Sequence, residues 1–189
     1  MYLFFDTETT GLPKDYKAEI TDLDNWPRLV QLAYLIYSPD GKLEIERNYI
    51  IKPQNFNIPE EATNIHGITT ENALNNGKEL GHVLLEFNDF LKSAGYLIAH
   101  NLQFDKNVVE AEFLRVKMEN SLNQKKQICT MLRTTEYCGL RNHHGSKWPK
   151  LSELYFKIFN KNFEGGHDAF EDIKATSKCF WELKKQGVL

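Results

Sequence analysis

Two acids, Asp6 and Glu8, stand two residues apart near the start of the chain. They end residues 2–7 (YLFFDT), a run apolar on both faces, as a doubly covered central strand is. Alternate residues of a strand share a face, so both carboxylates point the same way, roughly 6.5 Å apart along the strand. Neither tolerates burial beside Phe4 and Phe5 without compensation. Two close carboxylates raise each other's pKa unless a cation intervenes, and a hard divalent ion suits oxygen ligands of this kind. From this pair alone, a turn at Asp6-Thr7 with Glu8 in water explains the residues equally well. A third acid, Asp172, carries more weight. Residues 168–186 have helical periodicity, with Glu171, Lys174, Lys178, Glu182 and Lys185 on the wet face and Ala169, Ile173, Thr176, Phe180 and Leu183 on the dry one. Asp172 belongs with the dry side, where a carboxylate needs a partner. Asp168 is read as the N-cap and Glu171 as the other half of a capping box. His167 precedes this helix, after Gly165-Gly166, whose freedom allows an unusual backbone path. An imidazole on that approach is a candidate general base near neutral pH, although a lone histidine is more often structural. A fourth acid, Asp105, follows a short strand at a helix start, where capping is the alternative role; Lys106 and Glu110 beside it read as an outward pair.

The elements that must position these groups follow from periodicity. Residues 14–28 are polar and read as a loop. Residues 29–37 and 43–51 flank Pro39-Asp40-Gly41 and read as a hairpin. Helical spacing begins near 60, and residues 79–93 align Leu80, Val83, Leu84, Phe87 and Leu91, with Gly95 as the stop. A strand over 96–99, a helix over 104–118, a polar surface loop over 119–127 and a short strand over 128–130 come next. Helical patterns near 130–138, 149–160 and 168–186 close the chain. The order predicts an α/β fold, a mixed five-stranded sheet flanked by helices with its first three strands antiparallel.

Size fits one domain over 1–189. The longest apolar stretch, Leu29 to Tyr37, is about half the ~20 residues that a membrane-spanning helix needs, and the start of the chain lacks the features of a signal peptide. The three cysteines, with no CxxC pair, read as reduced thiols of a cytoplasmic protein. Nucleic-acid binders are often basic, so at a net charge of −3 the chain would grip duplex weakly, and would hold a nucleic-acid end only if metal ions supplied positive charge locally. An apolar strand ending in Asp-x-Asp-x-Thr would suit a haloacid-dehalogenase-type phosphatase, but the second position is Glu8 and no Gly-Asp-x-x-x-Asp follows.

Three segments taken together, FDTETTGL (5–12), HNLQFD (100–105) and HDAFED (167–172), resemble the motifs of the DEDDh, or DnaQ-like, 3′→5′ exonucleases of the ribonuclease H-like superfamily, which include proofreading exonuclease domains. IHGIT (65–69) and KLSEL (150–154) resemble lesser signatures of that family. The resemblance implies a ribonuclease H-like fold, two divalent cations (Mg²⁺ or Mn²⁺) on Asp6, Glu8, Asp105 and Asp172, and His167 as general base. Asp6 would bridge the ions, Glu8 and Asp172 would complete the first site, and Asp105 would hold the second. Nucleoside 5′-monophosphates would leave from a single-stranded or frayed 3′ end, with DNA favoured. The terminal nucleotide would meet the backbone near Thr10, the side chain of Leu12, and His66, His100, Asn101 and Phe104; Leu12 and Phe104 serve equally well as core. The alternatives are a short-RNA exonuclease of the RNase T or oligoribonuclease kind, and a non-catalytic end-binding or polymerase-associated module. No C-terminal tail of the kind that contacts a polymerase is visible before Leu189, no membrane partner is implied, and the oligomeric state is not legible. Lys14 to Arg28 makes a longer first loop than the motif needs, and Cys129 stands where relatives often have Asp. The basic stretch 141–150 (RNHHGSKWPK) carries Trp148 and could touch phosphates, but is read as a solvated loop.

Overall fold

The computed structural model describes residues 1–163 and 166–189. Its centre is a five-stranded sheet in the order β3-β2-β1-β4-β5. Strands β1 (Tyr2–Thr9), β2 (Leu29–Tyr37) and β3 (Leu43–Ile50) are antiparallel, while β4 (Tyr96–Ala99) and β5 (Lys126–Cys129) run parallel to β1. This is the mixed sheet that the sequence predicts. Burial along β1 and β2 is nearly continuous because helices cover both faces. Leu3 and Phe5 of β1 enter the larger core with α3 (Leu80–Ser93) and α4 (Leu102–Arg115), whereas Phe4 meets Ile173 and Phe180 of α8 (Ala169–Lys185) on the other face. The edge strand β3 alternates exposed and half-buried residues, so one of its faces is wet.

The shorter elements are α1 (Glu60–His66) and α2 (Thr70–Asn76), then α5 (Thr130–Arg133), α6 (Thr135–Cys138), the small hairpin β6 (Arg141–Asn142) with β7 (Gly145–Ser146), and α7 (Leu151–Phe159). Helix α7 seats Leu154 against Cys179 and Leu183 of α8. The cysteines are free thiols. Among the described residues no helix is long and apolar enough to cross a membrane.

Three local expectations give way to tertiary packing. Gly95 is not the stop of α3: the helix closes on Ala94, whose N–H reaches the carbonyls of Phe90 and Leu91, and Gly95 donates to Met1 O instead. Helix α4 starts at Leu102, earlier than the pattern suggests. The Lys106–Glu110 pair is not outward: its side chains are only 11% and 15% exposed, because Asn123 of a 3₁₀ turn (Leu122–Gln124) accepts from Lys106 Nζ at 2.7 Å and donates to Glu110 at 2.6 Å. Segment 119–127 is therefore more than a surface loop, with Leu122 in the core and β5 already under way at Lys126.

The long first loop is anchored by a buried charge. Glu112 of α4 is 1% exposed, accepts from Arg28 Nε (2.8 Å) and Leu29 N (3.0 Å), and forms an ion pair with Arg115 (3.1 Å). Arg115 in turn donates to the carbonyls of Leu23 and Trp26. Removing the acid leaves the Arg28 guanidinium and Leu29 N–H without their acceptor and takes the counter-charge from Arg115. Glu112→Ala should therefore lower stability by about 3–5 kcal/mol, read from urea unfolding, with Glu112→Gln losing less because it keeps acceptors in place.

Candidate active site

The acids are brought together by two elements on one face of the sheet. Asp6 and Glu8 share the α8 face of β1, and Asp172 lies in the first turn of α8. Each offers a carboxylate oxygen within 4.8 Å of the others. Asp168 fixes that turn by accepting from Phe170 N (2.9 Å) and Glu171 N (3.2 Å). The expected capping box is half made, because Glu171 pairs with Lys174 (3.1 Å). Gln31, opposite Glu8 on β2, holds the same turn at another point: its Oε1 accepts from Ala169 N at 3.2 Å and its Nε2 donates to Asn48 at 2.9 Å. The N-terminus of α8 is thereby tied to the sheet beside the acids.

Asp105 arrives from the other side. It is buried in α4, and its Oδ1 accepts both the backbone N–H (3.0 Å) and the hydroxyl (2.7 Å) of Thr7. One of its oxygens is therefore committed to the fold, and helix capping is not its role.

Burial and mutual repulsion dominate the electrostatics. Burial, then Asp105, Asp172 and Glu8, holds the Asp6 carboxyl well above the usual carboxylate range. Burial, then Asp172 and Asp105, pushes Glu8 up to about 8. Asp105 rises to about 7 through burial, against the opposing hydrogen bonds from Thr7, and Asp172 rises to about 6 through burial, against the N–H of His167. Among the described residues none of the four takes part in an ion pair. Asp172 Oδ1 is buried without a hydrogen-bond partner. An orphaned carboxylate oxygen among acids that cannot all ionise together fits a hard divalent cation.

Residues 3–180 match the family profile RNase T, described as "Exonuclease". The chain belongs to this exonuclease family. It is 27% identical over 191 residues to the DNA polymerase III PolC-type protein of Staphylococcus saprophyticus, a match that covers 98% of this chain and 11% of that protein. The PolC-type protein of Staphylococcus aureus is likewise 27% identical over 199 residues, at 100% and 12% coverage. The chain thus spans about a ninth of the length of these curated relatives. Its fold resembles E. coli Exonuclease I in complex with a dT13 oligonucleotide (TM-score 0.75, 19% identity, 97% of this chain and 40% of that one). Exonuclease I from Methylocaldum szegediense is similar (TM-score 0.76, 19% identity, 98% and 40%). Exonucleases of this family work with divalent metal ions, and the acidic cluster is the matching feature here.

The remaining expected residues of this exonuclease divide into open and occupied ones. His167 is exposed and itself left-handed (φ 72°), with its backbone N–H on Asp172 Oδ2 at 3.1 Å. Gly165, expected to lend freedom there, lies outside the described residues. Leu12 is 71% exposed and so is not core. Asn101 is exposed and left-handed (φ 69°) at the start of α4, and Phe104 packs half-buried on the larger core. His66 accepts from Ile68 N at 3.1 Å, and burial lowers its pKa. Two expected contacts are occupied by the fold. Thr10 N donates to Arg28 O (3.0 Å) and its hydroxyl accepts from Arg28 N (2.9 Å). Both ring nitrogens of His100 are engaged, by Thr130 Oγ1 and Pro149 O at 3.0 Å each. Burial drives its pKa down to about 4, so the ring is neutral and donates Nε2–H to the carbonyl.

Two residues escaped the sequence reading. Gln31 had a signal, since it is the one polar residue of an apolar strand. Thr7 had none, because its use depends on α4 carrying Asp105 to the opposite face of β1.

The raised carboxyl pKa values set a pH dependence. The folded protein holds protons more tightly than the unfolded chain, so stability present at low pH is lost as pH rises through the folded values, about 6 for Asp172 to about 8 for Glu8. The metal-free protein should melt at a lower temperature at the alkaline end of that range than at the acid end, and Asp172→Asn should narrow the gap. Mn²⁺ should stabilise most at the alkaline end and release protons on binding, measurable by calorimetry in buffers of different ionisation enthalpy. A metal-free melting temperature that rises across this range would contradict the coupling. Thr7→Val should weaken Mn²⁺ binding or turnover by about 10- to 100-fold, while Thr7→Ser keeps the donor and most of the function.

Proposed function

We propose that residues 1–189 form one exonuclease domain that hydrolyses phosphodiester bonds stepwise from the 3′ end of single-stranded or frayed DNA, releasing nucleoside 5′-monophosphates. The observation that carries this reading is the meeting of Asp6, Glu8 and Asp172 within 4.8 Å, with one Asp172 oxygen buried and unpartnered. Asp6, Glu8 and Asp172 would hold one divalent cation, and the uncommitted oxygen of Asp105, with Asp6, would serve a second. When bound, Mg²⁺ or Mn²⁺ lowers the pKa of water and offsets charge on the phosphoryl oxygens.

The chain's own residues supply the rest. His167 accepts the proton of the attacking water at its imidazole. The P–O3′ bond breaks as the new P–O bond forms, and the shortened strand keeps a 3′-hydroxyl once its leaving oxygen is protonated. The hydrogen bond from His167 N–H to Asp172 couples base and metal ligand, so the residue that takes the proton is fixed to the group that holds the cation. Exposed Leu12 and Asn101, together with half-buried His66 and Phe104, surround the terminal nucleotide without reading sequence.

DNA is favoured over RNA because the curated relatives are DNA polymerases and the exonuclease I structure of similar fold holds a DNA oligonucleotide. The test is a 5′-labelled single-stranded DNA and its RNA twin, with Mg²⁺ or Mn²⁺, against EDTA and Asp172→Asn. A ladder shortening from the 3′ end, absent in both controls and faster on DNA, is expected. Faster RNA cleavage would transfer the reading to a short-RNA exonuclease, and no cleavage of either by folded protein would leave an end-binding module. His167→Ala should lower kcat by about 10²- to 10⁴-fold while Mn²⁺ binding persists.

A further inference from the structure

We propose that the arm formed by β6, β7 and Trp148 is the platform on which the single-stranded substrate stacks as it leaves the acidic cluster; this rests on the exonuclease reading above. The arm joins α6 to α7. Its strands pair Arg141 with Ser146 and Asn142 with Gly145, and Lys147 N closes the base on Leu140 O at 2.9 Å. Residues 141–150 carry three cations and no acid in a chain whose net charge is −3. Arg141 and Lys150 are exposed, whereas Lys147 pairs with Glu153 and stiffens the base.

Trp148 is 61% exposed. The other tryptophans are spent on packing, Trp26 in the core and Trp181 among Tyr2, Phe4, Tyr37 and Phe180. An indole left in water beside cations has the chemistry to take the face of an unpaired base while the cations meet phosphate. Bases within a duplex have both faces taken, so the platform selects single strands and is indifferent to sequence.

The arm is held at the right end of the sheet. Pro149, next to Trp148, is buried, and its carbonyl accepts from His100 Nε2 at 3.0 Å. His100 directly follows β4, which is parallel to β1 with Ile98 beside Phe4. The C-terminal end of β4 is therefore the end of the sheet that bears Asp6 and Glu8. His100, bonded on both nitrogens, fastens the arm there and leaves Trp148 facing out.

Two substrates separate the arm from the chemistry. The p-nitrophenyl ester of thymidine 5′-monophosphate reaches the acids but is too short for the arm, while a single-stranded oligothymidylate can engage both. For Trp148→Ala, the ratio of kcat/KM on the oligonucleotide to kcat/KM on the ester should fall by roughly 5- to 100-fold, with Trp148→Phe retaining most of it. In the Asp172→Asn background the oligothymidylate should quench tryptophan fluorescence, and Trp148→Phe should abolish the quench. Arg141→Ala and Lys150→Ala should each reduce the salt dependence of binding by about one counterion. An unchanged ratio and an unchanged quench would overturn the platform. If the wild-type protein hydrolysed neither substrate, the exonuclease reading would fall, and the quenching titration would still decide the arm.

Discussion

Carboxylates crowded into a site where burial and mutual repulsion oppose their charge are the constraint on which this structure depends. Asp6 is the centre of it, raised by burial and by four acidic neighbours. Such a group is stable only if the surroundings hold the neighbours in place and leave room for a cation, because an apolar site with one acid would simply keep it protonated. Helices pack on both faces of β1, so beyond Tyr2 at its start only the half-buried acids at its end meet water. The cost of crowding is met by the packing of the whole domain rather than by local solvation.

The period of the strand divides the work. Asp6 and Glu8 look toward α8, which returns Asp172 to them, while Thr7 looks the other way and binds Asp105 through both of its donors. One tripeptide thus faces helices on both sides of the sheet, bonded to α4 through Thr7, and a slip of one residue in the register of β1 would exchange the acids for Thr7. The antiparallel pairing of β1 with β2 guards against that slip, since it sets Gln31 beside Glu8, where Gln31 takes the free N–H at the start of α8. Register, helix position and acid geometry are then one decision.

What could be read from the chain alone follows the same division. The acids of β1 and the misplaced Asp172 were legible because each violates a strong local rule, a carboxylate at the end of an apolar strand and a carboxylate on a dry helix face. The mixed sheet with its first three strands antiparallel was legible because hairpin signals and helical periods alternate along the chain. Thr7, Glu112 and the Lys106–Asn123–Glu110 chain were not, since these partners lie 13 to 98 residues away and a polar residue shows its use only once that partner is in place. The same holds for the partners of His100, since Thr130 and Pro149 on its two nitrogens lie 30 and 49 residues away. Helix ends failed for a related reason, because Gly95 is used for the N–H that it gives to Met1 and not for its freedom.

A domain of net charge −3 that handles a polyanion must separate grip from chemistry. Near the acids positive charge has to come from bound cations, since a lysine placed there would pair with Asp6 or Glu8 and neutralise the site. Away from the acids side-chain cations are tolerable, and residues 141–150 gather three of them without a single acid. Distance between the two regions matters, because opposite charges closer than a screening length of about 8 Å at physiological salt would cancel each other's pull on a phosphate chain. A neutral, half-buried histidine is suited to the junction: it carries a hydrogen bond from the sheet to the arm and adds no charge to either side.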